Sequence, residues 1–252
     1  MAENTKKLVG KVALVTGGSR GLGAEIARAL ADEGADVAIS YAVSEQKAQA
    51  VTRGIEIKGV RTAAFQADQG IPAQPEGLIQ AVVSQFGGLD ILVNNAAVSI
   101  PGLVGSPKTD MAAMDRQWAV NALGVIATIR AAAKVMRNGG RIISVGSGVA
   151  TRVGTEGLAD YAGSKAAVVG YSKGAARDLA SRNITINVVQ AGLMDTDMAA
   201  PYASKMDAMM STLAIKRYAR LEEIAAAVVF LASPVASYIT GAVLDAEGGY
   251  GA

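Results

Sequence analysis

Short runs rich in Val and Ile recur along the chain, at Val12 to Val15, Val37 to Ser40, Thr62 to Phe65, Ile91 to Val93, Arg141 to Val145, Thr185 to Val189 and Ala242 to Leu244. Between them lie alanine-rich stretches with polar residues at helical spacing: Gly23 to Glu33, Glu45 to Lys58, Pro75 to Phe86, Met111 to Met136, Ala159 to Ser181 and Glu222 to Leu231. Near-continuous apolar strands are buried on both faces, and strands that alternate with helices build a parallel sheet. The pattern predicts an α/β fold: a doubly wound parallel sheet of about seven strands with helices on both faces.

One region breaks the alternation. Leu193 to Lys216 is expected to leave the sheet as a long connection with its own short helix, and five of the nine Met fall in it, at Met194, Met198, Met206, Met209 and Met210. It reads either as a loosely packed surface helix or as an adaptable apolar lid over a substrate, because thioether side chains repack around varied shapes. Nothing else divides the 252 residues by composition or charge. The expectation is one domain, 1–252, with a lid at about 193–216.

Composition then narrows the chemistry. Lys+Arg 24 against Asp+Glu 22 leaves a formal charge of +2, too little for a polyanion-binding surface, so nucleic acid is not an expected partner. With no Cys and no His, disulfides, thiolate nucleophiles, Cys/His zinc sites and His-based triads are excluded, and no metal is expected. The charged start, Met1 to Leu8, has no apolar run behind it long enough for a signal peptide, since Lys11 interrupts. Near the C-terminus the apolar stretch Ile224 to Ala232 is nine residues, far short of the ~20 of a membrane helix. A cytoplasmic protein with no membrane partner is the expectation.

Directly after the first strand comes Thr16-Gly17-Gly18-Ser19-Arg20-Gly21-Leu22-Gly23, opening a helical segment. Glycines there permit a tight turn and close backbone approach, while the free N–H groups and dipole of the new helix face a pyrophosphate. The second strand ends at Tyr41, roughly 18 residues past Gly23, where an acid would bind the ribose 2′-OH of NAD. Tyr41 is not acidic, and Arg20 can pair with a 2′-phosphate through charge-assisted hydrogen bonds, which favours NADP(H). Arg20 is otherwise a solvated loop residue, and Glu45, if folded back, spoils the inference.

Tyr161 and Lys165, in Asp160-Tyr161-Ala162-Gly163-Ser164-Lys165, stand at i and i+4 on one helical face. Such a pair either covers a surface or does chemistry: an ammonium beside a phenol favours phenolate and lowers a pKa of about 10, making Tyr161 a workable proton donor to a carbonyl oxygen. Upstream, the fifth strand runs into Ser147, placed to hydrogen-bond a substrate carbonyl. Asn121 lies in a helical stretch where Asn is a mediocre helix former, its amide bonding backbone or water.

Together and in order, these motifs resemble the short-chain dehydrogenase/reductase family over essentially the whole chain: the Thr16 to Gly23 loop, Asn94-Asn95-Ala96-Ala97, Asn121, Ser147, Tyr161 with Lys165, Ala191-Gly192 and Glu247-Gly248-Gly249. The resemblance implies a Rossmann-type oxidoreductase acting on a small-molecule carbonyl substrate, assembled as a homotetramer. It makes Tyr161 the proton donor, Ser147 the group that orients the carbonyl, Lys165 the support of Tyr161 and ligand of the nicotinamide ribose, and Asn121 the anchor of a water in a proton relay. It also implies cofactor contacts at Gly17, Ser19, Arg20, Gly21, Leu22, Gly23 and Tyr41, with Asp68 at the adenine, Asn94 and Ala96 along the cofactor, and Gly192 and Thr196 at its nicotinamide end. Two departures stand out. Ala191 replaces the family's proline before Gly192, removing a fixed φ and loosening the approach to the lid, and Ala97 replaces a glycine.

Within the family the chain looks most like oxoacyl reductases and bacterial carbonyl reductases, implying reversible, NADPH-dependent reduction of a ketone to an alcohol. Two alternatives remain: a 3-oxoacyl carrier-protein reductase, and a nucleotide-binding regulator, since Ile186 to Gln190 with Asp195 to Met198 is similar to a biofilm-dispersal mediator on the same scaffold. In the lid, Leu193, Met194, Met198, Tyr202, Met206, Met209, Met210 and Leu213 form an apolar side, and a pocket walled that way suits bulky, weakly polar ketones.

Overall fold

The computed structural model describes residues 6–252; the first five residues of the expected 1–252 unit, and with them most of the charged start, lie outside the described residues. Strands β1 (Val12–Val15), β2 (Asp36–Tyr41), β3 (Thr62–Gln66), β4 (Ile91–Asn94), β5 (Arg141–Ser147), β6 (Thr185–Ala191) and β7 (Val243–Ala246) form one sheet in the order β3-β2-β1-β4-β5-β6-β7. Every neighbouring pair is parallel. The connecting helices are α1 (Gly21–Asp32), α2 (Glu45–Glu56), α3 (Gln74–Phe86), α4 (Met111–Trp118), α5 (Val125–Val135), α6 (Ala159–Asp178), α7 (Met206–Ser211) and α8 (Leu221–Ala232).

The period of two along each strand sorts side chains between two cores. Ala13 and Val15 of β1 face Ile26 and Leu30 of α1, Ile55 of α2 and Val228 of α8. Val12 and Leu14 face the other way, toward Ile79 of α3, Ile129 of α5 and Val168 of α6. Because the chain winds outward from β1 to β3 and then returns to place β4 on the other side of β1, the crevice between them opens at the carboxyl ends of the strands.

Where the sequence pattern reads one helix from Met111 to Met136, the structure has α4, a π-helical turn at Ala119–Gly124, and α5. Among the described residues this run, Met111–Val135, is long and apolar enough by composition to cross a membrane. It earns that composition from packing: Met114, Val120, Ile129 and Ala132 are all buried in the fold.

The expected departure from the sheet is present. After β6 the chain forms a 3-10 helix at Asp197–Lys205 and then α7. Ala219 N–H donates to Leu193 C=O at 2.8 Å and Ile215 N–H to Gly248 C=O at 2.9 Å, so both ends are fastened to the sheet side. Ala191 stays in the ladder between Ser147 and Ala246, and Gly192 N–H continues it with a 3.0 Å bond to Ala246 C=O. The strand end is thus held by pairing without the fixed φ of a proline.

Candidate active site

A cavity of about 910 Å³ lies across the carboxyl ends of the strands. Its floor is the glycine loop. Gly17 has φ +66, and a Cβ there would stand 2.9 Å from Ala96 Cα; a Cβ at Gly23 would meet Asn95 Nδ2 and Gly17 O at 2.4 Å. Asn95 staples the loop, its Nδ2 donating to Thr16 O at 2.9 Å and Gly17 O at 3.2 Å, while Thr16 Oγ1 accepts from the N–H groups of Asn95 and Ala96. At the N-terminus of α1 no side chain caps the helix and no acid sits in the first turn. Its open N–H groups and positive dipole end therefore face the cavity with nothing spent on them, which suits a pyrophosphate.

Around this floor stand three cations, Arg20, Lys47 and Arg116, together with Tyr41. Glu45 does not line the cavity; it begins α2. Arg20 NH1 reaches Asp197 at 3.2 Å and Lys47 Nζ approaches the same carboxylate at 4.0 Å. Asp68 lines the wall with its carboxylate engaged, accepting from Gly70 N–H at 2.9 Å and from Arg116 at 2.6 and 2.7 Å. Burial pushes that carboxyl up, but the bonds from Arg116 and Gly70 and the Arg116 charge outweigh it and hold it below its ordinary value.

The polar residues singled out on β5 and α6 meet on one wall. Ser147 ends β5, and Tyr161 and Lys165 come one turn apart on α6, all three lining the cavity. The start of α6 is fixed to α4 by a 2.8 Å hydrogen bond from Trp118 Nε1 to Asp160, and Gly163 leaves room for the Trp118 ring, which a Cβ would meet at 3.0 Å. Lys165 is buried, and its Nζ donates to Val145 C=O at 2.9 Å and lies 5.8 Å from the centre of the Tyr161 ring.

The expected direction of the Tyr161 shift is reversed. Burial pushes its hydroxyl up to about 12, against a hydrogen bond with Ser147 that lowers it and with a smaller upward push from Tyr202. Burial likewise pulls Lys165 down to about 8. Desolvation disfavours both charged forms, and it outweighs the phenolate-favouring effect of an ammonium whose hydrogen bond goes to a backbone carbonyl.

Asn121 sits in the π-helical turn, fully buried and outside the cavity lining. Its Oδ1 accepts from Val98 N–H at 2.9 Å, and its Nδ2 donates to Val98 C=O at 2.8 Å and to Ser164 Oγ at 3.3 Å. Ser164 Oγ in turn donates to Tyr161 C=O at 2.7 Å, so Asn121 ties the β4 loop to the turn that carries Tyr161. Asn94 is the one expected cofactor residue that does not line the cavity. It ends β4 inside the sheet, its Nδ2 donating to Ser144 Oγ at 3.4 Å, and the asparagine that lines the cavity is the next one, Asn95. Successive side chains of an extended chain point to opposite sides, which is why the neighbour and not Asn94 reaches the cavity.

Gly17, Ser19, Arg20, Gly21, Leu22, Gly23, Tyr41, Asp68, Ala96, Gly192 and Thr196 all line the cavity. Of the apolar side expected for 193–216, all but Met210 line it as well. Lys47, Arg116 and Tyr250 also line it without having been singled out. Their spacing carries no signal, because each comes from a different part of the chain. Only parity along β4 offered a route to Asn95.

The profile of a family described as enoyl-(acyl carrier protein) reductase matches residues 17–251. The chain is 41% identical over 246 residues to the 3-oxoacyl-(acyl-carrier-protein) reductase of Staphylococcus aureus, with 95% of this chain and 97% of that one covered. Among solved structures it is similar to a short-chain dehydrogenase/reductase from Serratia marcescens, with a TM-score of 0.94, 46% identity, and 98% and 100% of the two chains covered. A short-chain dehydrogenase from Burkholderia cenocepacia, solved in complex with NADP, superposes with a TM-score of 0.92 at 45% identity over 98% of this chain and 100% of that one.

Proposed function

The chain belongs to the short-chain dehydrogenase/reductase family of oxidoreductases, and from that premise we propose that it reduces a ketone to an alcohol with NADPH, on bulky, weakly polar small molecules. The observation that carries the reading is the convergence of Ser147, Tyr161 and Lys165 on one wall of a cavity whose other end is a glycine loop. The residues present fit a phosphorylated dinucleotide. The loop leaves no room for Cβ atoms at Gly17 and Gly23, the first turn of α1 is uncapped, β2 ends in Tyr41 and not in an acid, and Arg20 and Lys47 offer a 2′-phosphate two cations that it would share with Asp197. Relatives solved with NADP and NADPH support the same cofactor.

When bound, the cofactor would supply the hydride for the carbonyl carbon. In the proposed mechanism the chain supplies everything else. Ser147 donates a hydrogen bond to the carbonyl oxygen and polarises it. Tyr161, held protonated by burial, gives its phenolic proton to that oxygen as charge develops on it, so that hydride and proton together complete the alcohol. Lys165 carries the compensating positive charge beneath the phenol and is within the wall that receives the nicotinamide ribose. The Asn121 amide is spent on Val98 and Ser164, so its side chain positions the Tyr161 turn.

A wall of Met194, Met198, Met206, Met209, Tyr202 and Leu213 favours apolar substrates, whose burial needs no polar partners. The runner-up is reduction of a 3-oxoacyl group on a carrier protein, which the name of the Staphylococcus relative favours. Assembly as a homotetramer is supported by the exposed apolar side chains of Phe230, Val235 and Tyr238, on α8 and just after it. NADPH oxidation followed at the nicotinamide band decides between substrates. A higher kcat/KM for cyclic and aromatic ketones than for carrier-linked 3-oxoacyl groups is expected; the reverse order makes the enzyme an oxoacyl reductase, and no turnover with either removes the reductase reading.

A further inference from the structure

Glu247 follows β7 and is buried, the residue only 7% exposed as part of the cavity wall. Its Oε1 accepts from Gly251 N–H at 2.7 Å. Its Oε2 makes no hydrogen bond, and among the described residues no Lys or Arg nitrogen comes within 4.0 Å of the carboxylate. Burial pushes the carboxyl up, the Gly251 bond lowers it, and the charge of Asp245 adds a further upward push. Arg152 stacks 5.4 Å from the centre of the Tyr250 ring and gives its hydrogen bond to Tyr250 C=O at 2.7 Å, so it serves the tyrosine and not the acid.

Room is made for this carboxylate. A Cβ at Gly148, the residue after Ser147, would stand 1.9 Å from Glu247 Oε2 and 3.0 Å from Tyr250 Cδ1, and a Cβ at Gly192 would stand 2.7 Å from Glu247 Cα. Neither glycine has positive φ, so it is space that each position requires. The acid is thereby held against the loop that follows the proposed carbonyl-binding serine, beside an aromatic ring. The free oxygen is open to the cavity, and a ligand that brings a positive charge or a donor to it replaces solvent with a charge-assisted bond.

We propose that Glu247 is a specificity-determining residue whose free Oε2, backed by Tyr250, receives the protonated amine of an amino-ketone substrate. The proposal rests on the ketone-reduction reading and replaces its weakly polar substrates with ketones that are apolar apart from one basic nitrogen, and it sets the site against carboxylated substrates. A charge-assisted bond in a desolvated wall is worth about tenfold or more in affinity.

The test is calorimetric binding, at neutral pH and with the protein saturated with NADP, of two molecules of equal shape: N-methyl-4-hydroxypiperidine, a cation, and 4-methylcyclohexanol, which is neutral. Wild type is expected to bind the amine at least about tenfold more tightly, and Glu247→Gln, of nearly the same shape, to bring the two within about twofold. Equal binding of the two by wild type overturns the proposal without any variant, as does a Glu247→Gln protein that keeps the preference. Turnover of N-methyl-4-piperidone and 4-methylcyclohexanone is measured in parallel. If neither ketone is reduced while the amine preference holds, the reductase reading fails and the cation site stands.

Discussion

At the scale of single residues, the site stores its chemistry in two groups whose ionisation burial shifts. With Tyr161 pushed up to about 12, the phenol is fully protonated at neutral pH, the form a proton donor needs. Tyr161→Phe removes the transferable proton and little else. Ketone turnover is expected to fall by a factor on the order of 10²–10⁴, while NADPH affinity, read by fluorescence titration, stays within about twofold. Wild-type turnover in this variant would end the proton-donor assignment. Lys165 carries a stability cost that function explains. Its folded value of about 8 against an ordinary 10.5 means that the buried charge weakens the fold at every pH below about 8, and that the penalty fades as pH rises from there to 10.5. Lys165→Met should therefore abolish turnover yet raise urea-measured stability at pH 7, by up to roughly 3 kcal/mol, with the gain shrinking at pH 10. A destabilised variant at pH 7 would show that the Val145 hydrogen bond outweighs the desolvation. The i, i+4 spacing of Tyr161 and Lys165 was legible in the sequence because it follows from helix geometry alone. The direction of the Tyr161 shift was not, since burial depends on what β5 and 193–216 lay over it.

At the scale of elements, what the sequence made legible is what periodicity encodes. Strands β1 to β7 and the flanking helices lie where the apolar runs and helical spacings place them, with ends moved by a few residues: β5 runs on to Ser147 and β6 to Ala191. The π-helical turn at Ala119–Gly124 was hidden, because its residues keep a helical pattern of burial and the groups that engage the turn, the Val98 backbone and the Gln69 amide, are tertiary partners. Asn121 is the residue that engages Val98, and the element should fail without it. Asn121→Ala leaves the half-buried N–H and C=O of Val98 without their amide. A loss of about 2–4 kcal/mol in urea unfolding is expected, with an unchanged denaturant slope. Asn121→Asp, which keeps the acceptor for Val98 N–H and loses the donor, should show a loss too. Turnover should drop in both variants through displacement of the Tyr161 turn. A loss below about 0.5 kcal/mol for Asn121→Ala, the size typical of surface changes, would mean that the turn forms without its side chain.

At the scale of the molecule, segments far apart in the chain compete for the same charges. Arg20 comes from the loop after β1, Lys47 from α2, and Asp197 from the connection after β6, and the three meet at the mouth of the cavity. No spacing rule joins positions separated by 177 residues, so this meeting was beyond the sequence, although Arg20 alone stood out in its loop. A 2′-phosphate brought to Arg20 and Lys47 must displace the Asp197 carboxylate or share its cations, whereas a cofactor with a bare 2′-OH need not. Removing the cation and removing the competitor should thus act in opposite directions. Arg20→Ala is expected to raise the KM for NADPH by about tenfold or more and to change that for NADH little, since the lost bond is charge-assisted only with the phosphate. Asp197→Ala should tighten NADPH, by about fivefold at most because the pair is exposed and screened, and leave NADH unchanged; the difference between the two variants should narrow as salt is raised. Both constants are read from initial rates with one ketone held at saturation. Equal effects of Arg20→Ala on the two cofactors would remove the 2′-phosphate from Arg20. Weaker NADPH binding in Asp197→Ala would make Asp197 a support of the cation cluster, holding Arg20 in place for the phosphate in preference to competing with it.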